Sequence, residues 1–141
     1  MTYQEWFEAH ANKHKNIVSK LTAKRYTKEQ IIEYFDFDNM VKHEKDFCLL
    51  YAENKKCHDM ESLNCYLCAC PNFRFDDKGV KKIGENTQYS FCEIDHKDGS
   101  LGTYGNTIHQ DCSKCSVPHH KSYISKNFDL DWKTAMKKSP L

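Results

Sequence analysis

The chain has 141 residues and a formal net charge of +1, with Lys and Arg spread among Asp and Glu. No field that strong in one sign exists to argue for nucleic acid or a membrane surface. Apolar residues make up 39% and mean hydropathy is −0.82, which fits one domain with a thin core and excludes a transmembrane span.

The first residues, Met-Thr-Tyr-Gln-Glu-Trp-Phe-Glu, have no basic n-region and no apolar h-region, so they do not read as a signal peptide. A cytoplasmic location is the resulting expectation. Thiols stay reduced there, so eight cysteines point to metal before disulfides. Tyr3, Trp6, Phe7, His10, Ala11, His14, Ile17, Val18 and Leu21 then recur at helical spacing. His10 and His14 stand at i, i+4, but no third ligand is evident on that face, and they read as part of a packed helix face. Thr27-Lys-Glu-Gln30 before Ile31-Ile32 matches a capping box and predicts a second helix to Tyr34 or Phe35. Asp38 or Asn39 is the expected cap of a third helix carrying Met40, Val41, Phe47, Leu50 and Tyr51.

After Cys57-His58 the helical period fades. All five glycines lie between residues 71 and 111, with Asp76-Asp77-Lys78-Gly79 and Lys97-Asp98-Gly99 as turn signals. Tyr89 to Ile94 reads as a short strand with Cys92 and Ile94 on one face. From Lys121 the pattern is helical again through Tyr123, Ile124 and Phe128. Leu130 to Met136 reads as a short helix, and Pro140 as part of a frayed tail.

The chemistry lies in the cysteines. Cys65-Tyr-Leu-Cys68 and Cys112-Ser-Lys-Cys115 are two CxxC pairs separated by a long loop, the pattern of a tetrahedral thiolate site. Each short pair folds two sulfurs around one ion, so a zinc site of Cys65, Cys68, Cys112 and Cys115 is the simplest expectation. Cys57, His58, Cys70, Cys92 and His119 remain, and some of them would supply a second. The thiols of Cys68 and Cys70 stand two positions apart, able to divide between two ions. Iron–sulfur is the rival cofactor, because Cys65-x2-Cys68-x-Cys70-Pro71 approaches a ferredoxin run; the third interval is wrong and the fourth cysteine is missing. A redox CxxC lacks the accompanying βαβ pattern. Cys48, beside Phe47 and Leu49, reads as a buried structural thiol. His96, His109 and His120 read as surface or hydrogen-bonding residues.

Three segments together, Cys57-His58, Asn64-Cys65-x-x-Cys68-x-Cys70-Pro71 and Asp111-Cys112-x-x-Cys115-x-x-Pro118-His119, resemble the cysteine-rich small domain family. This is a zinc-finger-like, metal-binding group of prokaryotes, and the resemblance covers residues 46 to 122. It implies a metal-built fold. Some members are fused to enzymes of corrinoid metabolism, which implies a context and no activity.

The readings together predict a small α+β metal-stabilised domain. N-terminal helices (1–45) pack on an irregular cysteine-rich zinc-binding region with short strands (46–124), followed by a C-terminal helix or tail (125–141). The expected cofactor is one or two Zn²⁺ ions, mainly structural, in a binding or accessory module with a protein partner. An enzyme using His58, His96 or His119 for acid–base work has no paired carboxylates, phosphate loop or nucleophile behind it. The basic residues Lys13, Lys15, Lys20, Lys24, Arg25 and Lys28 are diluted by Glu5, Glu8 and Glu29, which argues against nucleic acid.

Overall fold

The computed structural model describes residues 1–137 and 139–141 of the chain. Helix α1 (Tyr3–Ala23) opens where the Thr2 side chain accepts the Glu5 N–H, and it buries Phe7, His10, Ala11, His14, Ile17, Val18 and Leu21. These are the positions its apolar period marks. Helix α2 (Lys28–Tyr34) carries the full capping box, with both Thr27–Gln30 bonds made.

The expected third helix is divided. Helix α3 spans Phe37–His43, and a separate 3₁₀ turn spans Leu49–Glu53. α3 begins earlier than Asp38 because Asp36 is held from outside. Its backbone bridges to Asn64, the Phe37 N–H donates to Leu63 O, and its carboxylate accepts from Asn64 Nδ2 and pairs with Lys121. The helix stops at Glu44 (φ −131°), whose carboxylate is taken by Lys20 and Tyr34.

The polar middle of the chain is more ordered than its sequence suggests. Strands β1 (Phe73–Phe75), β2 (Lys81–Ile83), β3 (Asn86–Gln88), β4 (Ser90–Cys92), β5 (Ser100–Tyr104) and β6 (Thr107–Asp111) form two small sheets. β1 pairs antiparallel with β4, Phe73 facing Cys92. The other sheet has the order β2-β3-β6-β5, with β3 and β6 parallel and the remaining pairs antiparallel. Two-residue loops, Gly84-Glu85 and Gly105-Asn106, close its hairpins, and each glycine supplies the positive φ (63° and 64°) such tight turns need. The strand around Cys92 is shorter than expected and leaves Ile94 in the following turn, exposed.

A 3₁₀ turn Val117–His119 precedes α4 (Lys121–Lys126), and α5 (Trp132–Ala135) follows. The tail is not frayed. The Phe75 N–H donates to Ser139 O at 2.9 Å, and the Leu141 N–H donates to Phe75 O at 3.0 Å, so it adds to the edge of β1. The described residues thus form a small α+β fold with five α-helices and two small sheets. One hydrophobic cluster runs from Phe7 through Phe35 and Tyr66 to Trp132, and so joins all three parts of the chain. Among the described residues, no helix is long and apolar enough to cross a membrane.

Candidate metal centre

All eight cysteines are free thiols. Six of them, Cys57, Cys68, Cys70, Cys92, Cys112 and Cys115, border one cavity of about 410 Å³ together with His58, His96 and His119. Aromatic rings of α1 and β1, notably Tyr3, Phe7, Phe73 and Phe75, also line it.

At one corner of the cavity, Cys57 Sγ, His58 Nδ1 and His119 Nε2 lie within 4.8 Å of one another. Among the described residues no other three Cys, His, Asp or Glu side chains come so close. Cys57 and His58 reach this point from the loop after the 3₁₀ turn, which leaves that turn through Asn54 in the left-handed region (φ 50°). His119 comes from the second 3₁₀ turn, where Pro118 suits the opening position and the His119 N–H donates to Ser116 O at 3.0 Å.

Each imidazole is fixed from behind. A carbonyl only accepts, so His119 carries its proton on Nδ1 and donates it to Asn64 O at 2.8 Å. His58 likewise donates from Nε2 to Cys112 O at 2.9 Å. The other nitrogen of each ring then presents a lone pair to Cys57 Sγ, at 3.0 Å from His58 Nδ1 and 3.7 Å from His119 Nε2. A ring oriented through its far nitrogen is the usual support of a metal-ligating histidine. Burial takes the His119 pKa down to about 4, so the ring is neutral at pH 7, the form that binds metal.

Asn64 organises this corner from a buried position. Its Nδ2 donates to Ile32 O (2.6 Å) and Asp36 Oδ1 (2.8 Å), its Oδ1 accepts the Tyr66 N–H (2.9 Å), and its N–H donates to His119 O (3.1 Å). The Cys65 N–H donates to Phe35 O at 2.8 Å, and the Cys68 N–H turns back to Cys65 O at 3.3 Å. The Trp132 indole donates to Cys68 O, which ties the segment to the core.

No family model, curated protein or solved structure matches this chain. What the site can do therefore follows from its own donor set.

The thiols fall into two neighbourhoods. Burial pushes the Cys57 thiol up to about 11, with Cys48 the next influence. It pushes Cys65 up to about 12, where the Tyr51 hydroxyl opposes it and Cys57 and Cys48 add to it. Burial raises Cys68 too, followed by Cys65, Cys57 and Cys48. On the other side, burial pushes Cys112 up to about 12, and Cys70, Cys115 and Cys92 add to it. Burial also raises Cys70; the Asn72 N–H lowers it, and Cys92 and Cys115 raise it. Buried thiols without a cation stay protonated at pH 7, because low dielectric penalises the thiolate. A divalent cation reverses that balance and displaces the protons.

The structure thus gathers Cys57, His58 and His119, with Cys65 and Cys68 nearby, and puts Cys70, Cys92, Cys112 and Cys115 along the rest of the cavity. Cys48 adds to the upward push on the Cys57, Cys65 and Cys68 thiols, an influence its helical context hides; its one sequence signal is its place nine positions before Cys57. His96, read from sequence as a surface or hydrogen-bonding residue, turns Nδ1 to 3.6 Å from Cys115 Sγ. His10 and His14 are buried among rings, His14 Nε2 donating to Tyr66 O at 3.1 Å, as a packed face requires.

Proposed function

We propose that this chain is a small zinc-finger-like metal-binding module whose ion is mainly structural. Cys57, His58 and His119 supply three ligands, and the surrounding Cys48, Cys65 and Cys68 thiols supply the fourth. The observation that carries this reading is the pair of imidazoles, each held at its far nitrogen by a backbone carbonyl, with both other nitrogens facing one sulfur. A mixed sulfur and nitrogen donor set suits Zn²⁺ in tetrahedral geometry. It suits an iron–sulfur cluster less well, since those take thiolates almost throughout. The three segments that resemble the cysteine-rich small domain family add support, and Asn64 gains a reason to stand in that pattern. The reading includes a cytoplasmic setting and a protein partner, with no catalytic role.

Metal analysis of protein purified without added metal, together with its visible spectrum, tests this. Zinc in stoichiometric amount, no visible absorption, and cooperative unfolding on chelation are the expected results. Protein that is metal-free, or that melts identically with and without chelator, would sink the proposal. A brown protein with visible charge-transfer bands would replace zinc with iron–sulfur.

A further inference from the structure

We propose that Cys70, Cys92, Cys112 and Cys115 hold a second zinc-type ion by four thiolates, so that the two CxxC pairs serve different ions. The inference rests on the metal-binding reading above and deepens it.

The backbone brings these four residues to one end of the sheets. The Phe73 N–H donates to Cys70 O at 3.1 Å, and Phe73 stands opposite Cys92 in the β1–β4 register, so Cys70 and Cys92 approach from paired chains. The Cys92 N–H then donates to Gln110 Oε1 at 3.1 Å, and the Gln110 N–H donates to Ser90 Oγ at 2.8 Å. Those bonds fix the end of β6 against the end of β4, and the chain leaves β6 directly into Cys112. There the Asp111 carboxylate accepts the Ser113 N–H at 2.9 Å and the Cys115 N–H donates to Cys112 O at 3.0 Å, a tight turn carrying both thiols. All four residues border the same cavity, and His96 closes its edge beside Cys115. No three of these four sulfurs lie within 4.8 Å of one another, and binding an ion at about 2.3 Å would draw them inward.

A second observation separates Cys70 from Cys68. Ala69 and Cys70 both adopt positive φ, 87° and 65°. Neither is glycine, and such strained residues persist only where the surrounding structure imposes them. The reversal directs two thiols only two positions apart to different neighbourhoods: Cys68 to Cys57 and Cys65, Cys70 to Cys92, Cys112 and Cys115. One ion shared by Cys65, Cys68, Cys112 and Cys115 would leave that strain without purpose. The centres still touch through protein, because His58 of the first donates to the Cys112 carbonyl of the second.

Cadmium-113 replaces zinc and couples to the β-protons of its cysteine ligands, so a proton–cadmium correlation spectrum of the full chain reads the ligand sets directly. Two cadmium resonances are expected, one correlated with Cys70, Cys92, Cys112 and Cys115 and the other with Cys57 and imidazole protons. A single resonance on Cys57 and the imidazoles would overturn the second centre and leave the first standing. Cys112 and Cys115 on one resonance with Cys65 and Cys68 would overturn the partition. No cadmium bound would sink both readings. Cys92→Ser should lower zinc from two ions per chain to one while the Cys57 correlations persist, and unchanged zinc content in that variant would count against the proposal. Should that variant fail to fold, the wild-type spectrum decides alone.

Discussion

Asn64 shows how much one buried side chain carries here. It donates two hydrogen bonds, accepts one, and through its own backbone both receives the His119 proton and gives one to His119 O. Asn64→Ala leaves the Tyr66 N–H without a partner, at about 1–3 kcal/mol, and removes the bonds to Asp36 Oδ1 and to Ile32 O, which keeps the Phe35 N–H at 3.1 Å. We expect a melting temperature lower by ten degrees or so on the scale for a domain of this size, with weaker zinc retention against a chelator, since the main-chain carbonyl that orients His119 persists at position 64 but is no longer held in place by the side chain. Asn64→Asp should be at least as damaging at pH 7.5, because a carboxylate cannot donate to Ile32 O and would face the Asp36 carboxylate. An aspartate variant milder than the alanine one would refute this account. The ligand-type residues are legible in the sequence because Cys and His advertise their chemistry by type and spacing. Asn64 is legible only through the resemblance, since nothing in its local pattern tells that its partners lie at Ile32, Asp36 and His119.

Among elements, the helices are the legible part. α1 repeats its apolar face over 21 residues, and the Thr27–Gln30 box marks the start of α2. Such signals are local. The break between α3 and the following 3₁₀ turn is not local, because it depends on Glu44 being claimed by Lys20 and Tyr34. The four-stranded sheet escapes a reading by alternation, since its strands are short and β2 and β5 are mostly exposed. Only Gly84 and Gly105-Asn106 announce hairpins there. The Ala69–Cys70 reversal is equally silent, yet it makes a testable claim. Ala69→Gly relieves a Cβ held at φ 87°, and after the entropy a glycine adds to the unfolded chain, a net gain of about 0.5–1 kcal/mol remains. The metal-loaded variant should melt a few degrees higher with unchanged zinc content. A lower melting temperature would mean that the Ala69 methyl matters more to the core it packs against than its conformation costs.

For the molecule as a whole, α1 is the beam on which the cysteine-rich half is built, and two histidines are part of that beam. Trp6 stacks on the His10 ring at 4.7 Å, Phe47 and Trp132 flank it, and His10 Nε2 is buried without a partner. Burial, with a smaller contribution from His14, takes its pKa from 6.5 to about 3; burial takes His14 to about 4. Both rings are neutral in the folded protein at pH 5, whereas the unfolded chain begins to protonate them as pH falls through about 6.5. The unfolded state then binds more protons, so stability is fully present above pH 6.5 and is lost as pH falls from there toward the folded values. Each ring accounts for about 2 kcal/mol of that loss by pH 5. In the proposed metal centre acid would also protonate the thiolates and expel zinc, so the sensitive measurement is a comparison. His10→Phe keeps a flat ring among Trp6, Phe47 and Trp132 and discards a nitrogen that has no partner. With zinc in excess, its loss of stability between pH 7.5 and pH 5 should be smaller than that of the wild type by about 2 kcal/mol. Parallel curves for the two proteins would mean that the ligands alone set the acid sensitivity and that the buried imidazole of α1 takes no part in it.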